Sequence, residues 1–210
     1  LLNYRGGSFM MDANMVTQQE CIIKGVYFEL INAGQLSQIY ATIEENNMDV
    51  VLLEKLPKIA VYSPDDKQPW DDAVTLALTY AEIEYETIFD EEVLTSKLNE
   101  YDWLHLHHED FTGQYGKFYK SYRNANWYKQ QVADFNATAA QFGFPSVHEL
   151  KKAIAVKIKD FVSNGGFLFA MCSATDSFDI ALAAVNVDIV DRPFDGTPVE
   201  SGYAGKLNFS

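Results

Sequence analysis

Short runs of continuously apolar residues recur along this chain, separated by stretches whose apolar residues fall at helical spacing. The runs cover 26–31, 50–53, 59–62, 85–89, 103–107, 167–171 and 187–190. Strands that are apolar at nearly every position are those covered on both faces. Parallel neighbours also need a crossover long enough to hold a helix. The alternation therefore predicts an α/β fold with a mostly parallel sheet between helical layers.

The helices carry their own marks. Over 70–81, Trp70, Ala73, Val74, Ala77, Leu78 and Ala81 form one stripe, with Pro69 suited to the first turn. Asp71 and Asp72 complement the positive end of that helix. Ser146-Val147-His148-Glu149 reads as a capping box. The helix after it turns Leu150, Ile154, Ile158 and Phe161 inward and is expected to show Lys151, Lys152, Lys157 and Lys159 to water. Asn164-Gly165-Gly166 ends it. A further helix over 127–142 sets Tyr128, Val132, Phe135, Ala139 and Phe142 on one face. The stretch 108–126 is long for a loop and rich in aromatics. Phe111, Tyr115, Phe118, Tyr119, Tyr122, Trp127 and Tyr128 are expected to be core, with a partial lid over a cleft.

Glu54-Lys55-Leu56-Pro57-Lys58 is the nearest thing to a boundary. It divides an N-terminal α/β portion, 1–56, from a main portion, 57–210, the two expected to form one continuous domain. The chain opens on Leu1-Leu2-Asn3, which reads as the middle of a strand, so a processed or truncated piece is expected.

Composition limits the partners. With 210 residues, 48% hydrophobic and 22% charged, the chain has the balance of a globular protein with a real core. Thirty acidic against 16 basic residues give −14, which argues against a broad nucleic-acid footprint. No apolar run approaches the ~20 residues of a membrane span. Cys21 and Cys172 are too few for a disulfide framework or a four-cysteine zinc site. The expected partner is a small-molecule substrate or ligand, with no cofactor and no resident metal. Nothing in the sequence specifies an oligomeric state.

Cys172 is the candidate nucleophile. It follows the run 167–171 and precedes a helix, with Ala170 and Ala174 two residues to either side. A nucleophile elbow needs this order: a sharp strand-to-helix turn that exposes the side chain, and small neighbours that let backbones approach. A helix N-terminus also favours a thiolate, and the Ser173 N–H is placed to serve an oxyanion hole. The alternative is a cysteine that simply packs.

A cysteine nucleophile wants a histidine base. All four histidines, His105, His107, His108 and His148, precede Cys172. His107 and His108 end a predicted strand, at the carboxyl edge where open α/β sheets bind ligands. They are candidate catalytic residues, with Glu109 and Asp110 beside them as candidate substrate contacts. The cluster also admits structural hydrogen bonding, or a divalent metal at His105, His107 and Glu109. Ser173 and Asp176, in the first turn after the elbow, are further substrate-binding candidates, as is Arg5 in Arg5-Gly6-Gly7-Ser8. Helix capping explains Asp176 and Asp179 equally well, and a tight turn explains the glycines.

The chain resembles the class I glutamine amidotransferase-like superfamily, whose elbow reads glycine–x–cysteine–x–glycine. Here it is Ala170-Met171-Cys172-Ser173-Ala174. Asn3-Tyr4-Arg5-Gly6-Gly7-Ser8-Phe9, 104–115 and 170–179 are similar to a bacterial exported family commonly labelled asparagine synthetase B. The resemblance implies a flavodoxin-like three-layer sandwich with part of the domain beyond Ser210. It implies export, the alternative being a cytoplasmic protein. In that superfamily the histidine base follows the cysteine, so either the base lies beyond Ser210, or His107 or His108 substitutes, or the chain is a non-catalytic small-molecule or partner binding module on the same fold. Asparagine synthesis itself does not follow from the residues. Leu1 is not an N-terminal cysteine, and 172–177 keeps Asp176 and Ser177 of a pyrophosphatase loop without its glycines.

Overall fold

The computed structural model describes residues 9–48, 56–64, 73–114 and 116–209. Arg5, the run 50–53, Tyr115, and Pro69, Trp70, Asp71 and Asp72 of the expected helix 70–81 lie outside the described residues. The chain forms two compact units, Leu1–Leu56 and Pro57–Ser210.

The first unit is helical where described. α1 (Met15–Ile23) starts at Asn14, whose side chain accepts from the Thr17 N–H at 2.8 Å. α2 (Ala33–Glu45) starts with a reciprocal box, Asn32 accepting from Gln35 N and Gln35 from Asn32 N. The run 26–31, expected as a strand, pairs with nothing described and exposes Val26, Tyr27 and Leu30. Apolar content alone does not make a strand; a ladder needs a neighbour.

The second unit opens with β1 (Ile59–Tyr62), buried at every residue. α3 (Ala73–Tyr80), β2 (Glu86–Ile88) and α4 (Asp90–Leu94) follow. Next come β3 (Trp103–Leu106), α5 (Gly116–Tyr122), α6 (Asn126–Gln141) and α7 (Val147–Ser163). β4 (Phe167–Ala170), α8 (Ser173–Ala183) and the short α9 (Arg192–Asp195) complete it. The strands form one all-parallel sheet in the order β2–β1–β3–β4. The unit is therefore α/β with a parallel sheet, as the alternating runs predict.

Register partners of parallel strands share a face. Tyr62, Ile88, Leu106 and Ala170 lie on one face, as do Ala60, Leu104 and Leu168. Leu150, Ile154, Ile158 and Phe161 of α7 join Ala60, Tyr62, Leu104 and Leu106 in the core, with Ala174 and Ala181 of α8. The other face is covered less completely. Its β4 side chains, Phe167 and Phe169, are 55% and 46% exposed, unlike the doubly covered strand that their apolar run predicts.

The run 187–190 is also not a strand. Asp188 turns back so that its carboxylate accepts from Val190 N at 3.0 Å, a local bond that competes with a ladder. Val187 and Val190 are nonetheless buried. The stretch 108–126 is not a bare loop, since α5 occupies part of it.

α7 follows its sequence marks at both ends. Ser146 Oγ accepts from Glu149 N, and Asn164 caps the last turn. The glutamate half of the expected box is spent otherwise, on Lys152 at 2.9 Å. Gly165 takes φ +98°, and a side chain at Gly166 would stand 2.3 Å from the Phe161 ring. Lys151 and Lys152 are buried, not solvent-facing; Lys157 and Lys159 are exposed as expected. Lys151 sits between Leu150 and Ile154 on the inward side and is tolerated there because its charge is matched. Its ammonium donates to both Asp90 oxygens, at 2.7 and 3.0 Å, and to Tyr62 Oη at 3.0 Å, while Tyr62 donates to Asp90. The rings of Phe89, Tyr62 and Phe135 stand 4.5, 5.3 and 5.3 Å from the ammonium. Burial first, then the Asp90 carboxylate, holds the Tyr62 phenol well above the usual tyrosine range.

Two outcomes follow for stability. Breaking a buried pair by removing one partner costs about 3–5 kcal/mol, whereas a packed apolar replacement of both is close to neutral. Asp90→Ala and Lys151→Met should each lower the urea midpoint sharply, and Asp90→Leu with Lys151→Met should recover most of the loss. A phenol raised in the folded state adds stability below the unfolded value of ~10 that is lost as pH rises above it. Between roughly pH 9 and 11, wild type should lose urea stability more steeply than Tyr62→Phe.

Candidate functional site

The chain reverses abruptly after β4. Cys172 is the N-cap of α8 and adopts φ 54°, ψ −140°. Positive φ is rare for a residue with a Cβ, and this combination lies in a region populated essentially by glycine. Cys172 and the following Ser173 are exposed, while Ala174 is fully buried. Ala174 has the small side chain needed to seat α8 against the sheet, which lifts the strained residue out at the carboxyl edge. Among the described residues the Cys172 thiol makes no hydrogen bond and no disulfide.

The loop after β3 runs beside this turn. Three successive carbonyls are held by α8. Ala174 N donates to His107 O at 3.3 Å, Ser173 Oγ to His108 O at 3.1 Å, and Ser177 Oγ to Glu109 O at 2.7 Å. Met171 N bonds Leu106 O at 3.1 Å, continuing the ladder of β3 and β4. The structure therefore brings His107, His108 and Glu109 alongside the elbow carrying Cys172 and Ser173.

Within the loop the two imidazoles address each other. His107 Nδ1 and His108 Nδ1 are 3.0 Å apart, with ring planes at 76°. A bond between two such nitrogens holds one proton, one ring donating and the other accepting. Glu109 accepts from its own loop, at His107 N, 2.8 Å away. Asp110 accepts from the amide and the hydroxyl of Thr112. Both carboxylates thus have work inside the loop, which is the bland explanation for their presence. Asp176 and Asp179 lie exposed on α8. Arg5, expected among the substrate contacts, lies outside the described residues.

The remaining histidines are elsewhere. His105 is buried on the other face of β3, stacked on Phe169 with centroids 5.2 Å apart. His148 is buried at the start of α7, its Nδ1 2.7 Å from Thr112 O. Among the described residues no group of three or more His, Cys, Asp and Glu side chains is placed to hold a metal ion. The possible set at His105, His107 and Glu109 does not assemble.

Residues 105–114 and 172–183 contain acidic side chains but no lysine or arginine. The topology adds a location. β1 has β2 on one side and β3 on the other, so the strand order reverses between β1 and β3. Open α/β sheets bind ligands outside the carboxyl ends at such a point. Buried Ser63 follows β1 there, and the histidine loop follows β3.

Ser177, read from the sequence only within the pyrophosphatase-like stretch and not as a site residue, makes the shortest of the three clamps. Its spacing of four from Ser173, on one helix face, is the signal that was available.

Gly113 fixes the far end of the loop. It has φ +72°, and a Cβ there would fall 2.6 Å from His148 Cα and 2.7 Å from His148 N, both backbone atoms. Gly113→Ala should destabilise the folded chain by more than the ~1 kcal/mol of an ordinary left-handed position. A thermal melt checks this, and an unchanged midpoint would contradict the packing.

No protein-family model matches the chain, and neither a curated protein nor a solved structure matches it.

Proposed function

We propose that this chain is a hydrolase or amidotransferase-like domain whose Cys172 thiolate attacks a small amide or ester carbonyl. The observation that carries the reading is the backbone of Cys172, φ 54° and ψ −140°, at an exposed strand-to-helix turn. Holding a non-glycine residue there costs of order 1–3 kcal/mol, and such outliers cluster at functional sites. A cysteine that merely packs needs neither the strain nor the exposure.

Attack forms a carbon–sulfur bond and places the carbonyl electrons on oxygen. The Ser173 N–H, in the first turn of α8, is the nearby donor for that oxyanion. Collapse expels the amine or alcohol and leaves a thioester, which water or an acceptor amine resolves. His107 and His108 are the bases on hand, and one ring must leave its neighbour to serve. The strand order β2–β1–β3–β4 supports the flavodoxin-like sandwich that the resemblance implies, being the start of the 2-1-3-4-5 order. The resemblance to the class I glutamine amidotransferase-like superfamily, and to exported proteins labelled asparagine synthetase B, points the same way.

One observation favours a second reading, a non-catalytic module that binds a small molecule at the same edge. The thiol lacks a hydrogen bond among the described residues, and the imidazoles bond to each other. Alkylation separates the two. Folded protein treated with iodoacetamide near pH ~6 should take up one equivalent at Cys172, at least about tenfold faster than urea-unfolded protein. Peptide mass mapping distinguishes Cys172 from Cys21. A Cys172 that reacts no faster than the unfolded thiol overturns the catalytic reading and selects the binding module.

A further inference from the structure

We infer that Ser177, together with Ser173, is a positioning residue that sets the His107–His108 pair in register with the Cys172 elbow. This rests on the catalytic reading of Cys172 and adds a residue that reading does not use. The two serines are four apart on α8 and so lie on one face, one turn from each other. Their hydroxyls donate to consecutive carbonyls, Ser173 to His108 O at 3.1 Å and Ser177 to Glu109 O at 2.7 Å. The carbonyl before them, His107 O, receives the Ala174 N–H at 3.3 Å.

A segment with three successive carbonyls tied to one helix cannot slide or rotate without breaking all three bonds. The same helix begins at Cys172. The backbone that carries the two histidines and the backbone that carries Cys172 are therefore tied at one joint. The ladder bond from Met171 N to Leu106 O continues it on the strand side. Helix formation does not require either hydroxyl in this role. A serine in the first turn ordinarily turns back on its own helix or faces water. Ser177 is 8% exposed, and its longer contact, 3.5 Å to Ala174 O, is the intrahelical one; the 2.7 Å bond crosses to the loop. Removing the Ser177 hydroxyl frees the loop at Glu109, next to the histidines, and leaves the α8 backbone and the elbow intact.

The test is the alkylation rate of Cys172 in Ser177→Ala and Ser173→Ala, each in the wild-type and the His107→Ala/His108→Ala background. The expected result is wild type faster than unfolded protein, with Ser177→Ala reduced about five- to tenfold, the worth of one hydrogen bond. In the background lacking both imidazoles, Ser177→Ala should have no further effect, because the hydroxyl acts through them. Thermal melts confirm that the variants are folded, and exposed Ser173 gives a second variant with little effect on folding. Equal loss in both backgrounds means a merely structural serine and overturns the inference. So does wild-type reactivity in Ser177→Ala while wild type remains fast, a result that leaves the catalytic reading standing. A wild-type thiol no faster than the unfolded one removes both.

Discussion

The packing of α7 on β1 and β3 is the contact on which the rest of the second unit depends. Leu150, Ile154 and Ile158 are fully buried against Ala60, Tyr62, Leu104 and Leu106. Each such side chain withdrawn from water contributes about 1.5–3 kcal/mol. This one helix also packs on α4, α6 and α8, so the elements bearing the carboxyl-edge loops are seated around it. Lys151 lies in the middle of that interface, and its chemistry is closed. Its ammonium has three donors, and Asp90 Oδ1, Asp90 Oδ2 and Tyr62 Oη take all of them. A greasy contact permits several rotational settings of a helix on a sheet; a buried charge with one complete set of partners permits far fewer. Specificity of that kind, not net stability, is the sensible reading of an ion pair so deeply desolvated.

Elements whose signal is local were legible in the sequence. β1, β2, β3 and β4 fall within the predicted runs, and Ser146 and Asn164 bound α7 as their types demand. The failures share a cause. The runs 26–31 and 187–190 are as apolar as real strands, but a strand is defined by its neighbour, and neighbour choice is not written in a run of six residues. Lys151 failed for the same reason. Its partner Asp90 is 61 positions away, beyond the reach of any helical-periodicity argument.

The candidate site divides along the same line. The order strand, cysteine, helix located Cys172 correctly at the carboxyl edge, because it depends on adjacent residues only. Glu109 and Asp110, candidate ligand contacts from the sequence, each also accept from a loop amide two residues away. Acidic residues near a predicted edge have two uses with one sequence signature, and only the hydrogen-bond partners separate them. Ser177 shows the converse. Its bond to Glu109 O spans 68 positions, so the spacing of four from Ser173 marks a shared helix face but not the partner.

These observations together constrain what chemistry the edge can support. The strained backbone lifts the thiol into solvent, where a substrate can approach it, but exposure leaves the thiol screened by water. The amino end of α8 offers a positive dipole at the turn, and neither 105–114 nor 172–183 holds a lysine or arginine. His107 and His108, on the adjoining loop, are bonded to each other. On the catalytic reading proposed above, parting them leaves both rings neutral and frees the accepting Nδ1 to take a proton. The proposed catalysis therefore requires that bond to break before either imidazole can act as a base, whereas the binding-module reading requires no such change.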